Sequence, residues 1–96
     1  MEKLKVIYRK FPEGDVIALF PEVPGDSWAT CNSYQHIGQH GSASLGVIYD
    51  TKLATPEEYK DLHEEITQIY FEYEIVIYRR YTRRMFTARW NLERYK

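Results

Sequence analysis

The sequence holds one cysteine and three histidines, the residue types of zinc sites and of thiol–imidazole catalysis: Cys31, His36, His40 and His63. His36 and His40 stand four apart within SYQHIGQHG, residues 33–41, the spacing that puts two imidazoles on one helical face. Gly38 and Gly41 argue against a helix there. In an extended chain, four residues span roughly 13 Å, too far for both rings to reach one ion. The paired CxxC spacing of structural zinc sites is missing as well, so no metal is expected. Cys31 as a nucleophile would need a base in hydrogen-bond reach, and on a strand Cys31 and His36 face opposite ways. It reads instead as a small buried hydrophobe. Gly38, Gly41 and Gly46 match neither phosphate-loop pattern, so the segment reads as a structured polar loop that serves as a contact surface. The acidic pairs Glu57-Glu58 and Glu64-Glu65 read as cap chemistry and a solvated helix face. Neither an enzyme nor a cofactor is expected.

Two binding surfaces stand out instead. The first is a face of the third strand carrying Trp28, Tyr34 and His36, continued by Gln39 and His40, and suited to contact with a protein partner or a second copy of the chain. Nine tyrosines among 96 residues support it, because an apolar ring with a hydrogen-bonding tip suits interfaces. The second is YRRYTRRMF, residues 78–86, in which Arg79, Arg80, Arg83 and Arg84 alternate with aromatic rings. Guanidinium groups clamp phosphates bidentately and rings stack on bases, so this segment suits nucleic acid. Charge is divided to match: residues 75–96 carry +6 and residues 1–74 carry −7. The same arginines could equally be paired with the chain's own carboxylates.

The elements that must position these residues follow from local pattern. Residues 4–11 alternate as a strand, FPEGD is a tight turn, and VIALF is an apolar second strand, so the three form a hairpin. PEVPGD, residues 21–26, reads as loop because of its prolines. Residues 28–36 read as a third strand, its Ala29-Cys31-Ser33 face covered by a helix and its Trp28-Tyr34-His36 face open. Leu45–Tyr49 reads as a short fourth strand. Thr55-Pro56-Glu57-Glu58 has a capping threonine, a proline at the first helical position and a glutamate three residues after the cap, which predicts a helix to about Phe71. Residues 73–78 read as a strand by their Val, Ile and Tyr content. The segment 82–95 reads as a helix with Tyr81, Met85, Ala88, Leu92 and Tyr95 on one stripe, although a strand is the alternative. The sum is one α+β domain: a mostly antiparallel sheet of about four strands, one long helix packed on it, and a C-terminal helix. No apolar run approaches the roughly 18 residues of a membrane span, and a lone cysteine fits a reducing compartment, so a cytoplasmic location is expected.

With VIALFPEVPGDSW before SYQHIGQHG, TPEEYKDLHEEI after it and YRRYTRR near the end, the chain resembles small proteins carried by phages and conjugative elements of gut bacteria. The resemblance spans residues 4–85, and the group has no assigned activity. It implies a context, cargo of a mobile element in a bacterial cytoplasm, and no mechanism. The expected function is non-catalytic binding, through protein contacts or self-association, with nucleic-acid binding as the alternative.

Overall fold

In the computed structural model, which describes residues 1–27, 30–35 and 39–94, the FPEGD turn folds the first two strands together. Gly14 takes the positive φ of 108° that this turn needs, and the Phe11 N–H donates to the Asp15 carbonyl at 2.8 Å. Strands β1 (Glu2–Lys10) and β2 (Val16–Pro24) then pair antiparallel, from Lys10 opposite Val16 to Ile7 opposite Leu19. The next antiparallel strands are β3 (Thr30–Gln35) and β4 (Gln39–Ser44). A 3-10 turn spans Leu45–Asp50, where alternation predicts a strand; the Ser44 hydroxyl accepts the Gly46 N–H and starts the turn. After it come β5 (Lys52–Leu53), α1 (Pro56–Ile69), β6 (Tyr73–Tyr78) and α2 (Arg83–Arg94).

The sheet therefore has six strands rather than about four, in the order β4-β3-β2-β1. The far edge of β1 is shared: Glu2–Ile7 pair with β6 in parallel, and Arg9 and Lys10 pair with β5. No helix among the described residues is long and apolar enough to cross a membrane.

The expected PEVPGD loop is corrected, since β2 runs on through Pro24. Pro21 is tolerated because pairing is lost there on both sides, and Pro24 because it ends the strand just beyond a bulge. Towards β3 the register jumps from Phe20 opposite Asn32 to Pro24 opposite Cys31, a bulge that leaves the intervening residues unopposed. Towards β1, the register would next bring Pro21 opposite Lys5, where a proline has no N–H to offer. The strands part, and the Pro21 carbonyl accepts a bond from the Arg89 guanidinium instead, at 3.2 Å.

Period-two alternation sorts the core into two layers. Val6, Tyr8, Ala18, Phe20 and Tyr34 face α1, against Leu62 and Ile66. Ile7, Ile17, Leu19 and Cys31 face the other way, against Met85 of α2 and Val47 and Ile48 of the 3-10 turn. A helix thus covers each face of the sheet. On α2 the stripe differs from the sequence expectation: Met85 is buried, but Leu92 is 57% exposed and Arg89, at 2%, takes the inner position one turn after Met85. Arg89 also donates to the Tyr81 hydroxyl at 3.0 Å and lies over the Tyr81 and Phe86 rings.

The capping box of α1 forms as expected, with Thr55 and Glu58 bonded reciprocally. Lys10 pairs with the same glutamate. The hydrogen bond from Lys10, followed by that from the Thr55 amide, pulls the Glu58 carboxyl down to about 2 from its ordinary 4.5. A lowered carboxylate contributes its stability in full above the ordinary value and loses it as pH falls through the native one. Nuclear magnetic resonance should accordingly give a Glu58 titration near 2, with first-turn amides of α1 losing protection between pH 4.5 and 2. The Glu58→Gln variant should lack that transition. Arg89→Ala should lower the free energy of unfolding by about 2–4 kcal/mol in a denaturant titration, because it strands the Pro21 carbonyl as well as removing the cation.

Candidate functional site

The last residues of β6 deliver the chain directly into a basic corner. Arg79 and Arg80 follow Tyr78, and Thr82 then starts α2: its hydroxyl accepts the Met85 N–H at 3.3 Å, while its own N–H donates to the Met85 sulfur at 3.4 Å. The cap fixes Arg83 and Arg84 in the first helical turn. Met85 and Arg89, one turn apart, hold the inner side of α2 against the sheet, which leaves Arg83 and Arg84 in solvent. All four arginines are exposed, and among the described residues none forms an ion pair.

This placement is electrostatically costly for the helix. The N-terminal turn carries the positive end of the helix dipole, where acidic side chains stabilise and cations destabilise, by about 0.3–1 kcal/mol each. The first turn of α2 has no acidic residue. Four exposed guanidinium groups therefore lie in or just before the first turn of a helix, with no acidic residue in that turn and no ion pair among the described residues. An anion would neutralise them.

Aromatic rings adjoin the corner on two sides. Arg79 and Arg80 share a hollow of about 500 Å³ with Arg9, Tyr81 and Tyr49, which is 91% exposed. Arg9 is the positioning residue here. Its guanidinium donates to the Ile48 and Thr51 carbonyls at 3.0 and 2.6 Å and to the Thr51 hydroxyl at 3.0 Å, tying the 3-10 turn, and Tyr49 with it, to β1. On α2, Phe86 and Trp90 follow Arg83 at helical spacing. Their rings are exposed and nearly parallel, at 11°, with centroids 6.3 Å apart.

The charge division of the sequence becomes a division across the sheet. Helix α1 carries Glu57, Glu58, Asp61, Glu64 and Glu65 against Lys60 alone, and covers the face opposite α2. The arginines are thus kept apart from the carboxylates that could have paired with them.

The other sequence-derived surface fares differently. Trp28 and His36 lie outside the described residues. Tyr34, expected on an open face, is 1% exposed beneath α1, and its hydroxyl donates to Glu65 at 2.6 Å. Gln39 and His40 are exposed on β4, an edge strand rather than a loop, and His40 Nε2 lies 3.0 Å from the Tyr70 hydroxyl. The Tyr8 hydroxyl repeats the pattern with His63 Nδ1 at 2.7 Å, its ring stacked on Tyr59. Several of the tyrosines that suggested an interface are thus mortar between the sheet and α1: the ring packs and the hydroxyl finds a partner at the layer's margin. Composition alone does not separate the two uses.

Among the described residues no group of three or more His, Cys, Asp or Glu is arranged to hold a metal ion. Cys31 is buried under Met85, and burial pushes its thiol up to about 11 despite the opposing effect of Arg89. A hollow of about 580 Å³ lies where β1 and β2 part, with apolar walls of Leu4, Phe20, Val23 and Leu92 and the Lys5–Glu22 ion pair, at 2.9 Å, at its edge. No protein-family model matches the chain, and no curated protein or solved structure shows significant similarity to it.

A thiol that is both buried and hard to ionise reacts only when the fold opens. Native protein at pH 8 should therefore label Cys31 with a disulfide reagent at least a hundredfold more slowly than protein in denaturant, as followed by absorbance.

Proposed function

We propose that this chain is a small non-catalytic binding protein whose ligand is nucleic acid. Arg79, Arg80, Arg83 and Arg84 hold backbone phosphates, while Tyr49 and the Phe86–Trp90 pair offer stacking platforms for unpaired bases. One observation carries this reading: four exposed guanidinium groups lie in or just before the first turn of a helix without an ion pair among the described residues. Intramolecular pairing, the main competing account of a basic segment, finds no counterpart there. Open rings beside the arginines favour single strands over duplex, because bases in a duplex are already stacked on one another. A cargo protein of a phage or conjugative element, the context that the sequence resemblance implies, would meet such strands in a bacterial cytoplasm.

Contact with a protein is the second reading. It is favoured by Ile69, Phe71 and Tyr73, apolar or aromatic side chains left exposed where α1 turns into β6.

Binding to single-stranded DNA and RNA should weaken steeply with salt, because each neutralised phosphate releases counterions. With all four arginines changed to alanine, the slope of log K against log salt should become shallower by about 3, four contacts at about 0.7 each. Affinity at low salt should drop at least a hundredfold. Absence of binding by the wild-type chain at low salt overturns the nucleic-acid reading and leaves the protein contact.

A further inference from the structure

The two edges of the sheet are not alike. Strand β4, QHGSAS, ends one side with polar and small residues and a glycine, the composition that discourages edge pairing. Strand β6, YEIVIY, ends the other side with none of the usual guards: no proline, no lysine, no bulge, and a single Glu74 within it. Among the described residues, β6 pairs with β1 alone, so the backbone N–H and C=O groups of its outer edge have no strand partner. Ile77 is 40% exposed there, with Tyr73 close behind.

We infer that the outer edge of β6 binds the same edge of a second copy of this chain, joining two sheets into one across a twofold axis. This proposal gives the protein-contact reading a definite occupant, and it shares Arg79 and Arg80 with the nucleic-acid reading, whereas Arg83 and Arg84 belong to that reading alone. The choice of a second copy rests on the charge order of the strand. Glu72 and Glu74 stand at its start, and Arg79 and Arg80 follow its end. Antiparallel self-pairing therefore sets the acidic end of each copy against the basic end of the other.

The register is narrowly constrained. Residues opposite each other in an antiparallel pair share a face, so a twofold axis must pass through a residue position and not between two. An axis at Val76 sets Val76 opposite its counterpart and Ile75 opposite Ile77. It also sets Tyr73 against Arg79 and brings Glu72 towards Arg80, each relation occurring twice. The contacts formed are apolar at the centre, cation–π on the α1 side of the sheet and ionic on the α2 side. An axis at Ile75 would set Glu72 opposite Tyr78 and Phe71 opposite Arg79, forfeiting the charge match. An axis at Ile77 would set Glu74 opposite Arg80 but Glu72 opposite Thr82, so Glu72→Arg distinguishes it from the axis at Val76. Arg83 and Arg84 lie beyond the paired segment and stay open in each case.

The test is sedimentation equilibrium on the full, nuclease-treated chain, without added nucleic acid, from low micromolar to several hundred micromolar. The expected mass at the upper end is twice the chain mass of 11.5 kDa. Ile77→Lys, at an exposed position, should give a monomer with an unchanged circular dichroism spectrum. Glu72→Arg should weaken the dimer at least tenfold, and Glu72→Arg combined with Arg80→Glu should restore it. A chain that is monomeric throughout overturns the proposal, as does a dimer indifferent to Ile77→Lys and Glu72→Arg. A dimer lost in Ile77→Lys but not restored by the double exchange overturns the register about Val76. Sedimentation is run without nucleic acid, and Ile77→Lys and Glu72→Arg leave all four arginines in place, so failure of the dimer and failure of nucleic-acid binding are read by different measurements.

Discussion

Pro21 stands where β2 would continue its ladder with β1, and it has no N–H to give. The consequences run through the molecule. Pairing of the two strands stops after Ile7 and Leu19, and the vacated carbonyl is taken by Arg89. That bond, with Met85 in the core one turn earlier, seats α2 on the sheet face away from α1. Once α2 is seated on these two residues, its first turn must project Arg83 and Arg84 outwards, and the chain leading into it must carry Arg79 and Arg80 past the 3-10 turn. A missing hydrogen-bond donor in the second strand thus fixes the position of the arginine corner some sixty residues later.

Arg89 also shows how a cation is kept inside a small domain. Burying a charge is expensive unless its donors are used. Here one terminal nitrogen donates to both a backbone carbonyl and a tyrosine hydroxyl, while the guanidinium lies over the rings of Tyr81 and Phe86. The residue does for α2 what a leucine could do by packing alone, and adds direction. A leucine could sit on any apolar stretch of the sheet, whereas Arg89 must find the one carbonyl that the proline left open.

Local features were legible in the sequence because they rest on neighbours. The FPEGD turn, the TPEE cap, the strand character of YEIVIY and the helix after Thr82 all depend on residues within four or five positions. What escaped was set at long range. Alternation predicts a strand over residues 4–11 but not that its partner is β6, since a parallel pairing leaves no mark on either segment alone. The prolines of β2 read as loop because the parting of β1 and β2 and the bulge towards β3, which make them harmless, are invisible locally. Tyr34 read as an open-face residue because the small side chains Ala29, Cys31 and Ser33 suggested that the helix lay on their side; in fact a helix lies on each. On α2, Arg89 was passed over because charge normally marks the outer face. The arginine corner itself was legible as a run of four, but not its isolation from carboxylates, which needs the sheet between α1 and α2.

The pairing of β1 with β6 carries a temporal consequence. Glu2 lies opposite Tyr73 and Ile7 opposite Tyr78, so β1 waits for a strand made some seventy residues later. At about 5–20 residues per second, roughly 4–14 s separate the two during synthesis. Through that interval the β1–β2 hairpin can close, because its partners are adjacent, but most of the far edge of β1 has no occupant. Long-range contacts of this kind slow folding, since the chain between them must be ordered before the pairing returns any stability. The N-terminal half is therefore a template held open for a strand that does not yet exist, and any extended segment nearby competes for it until β6 arrives.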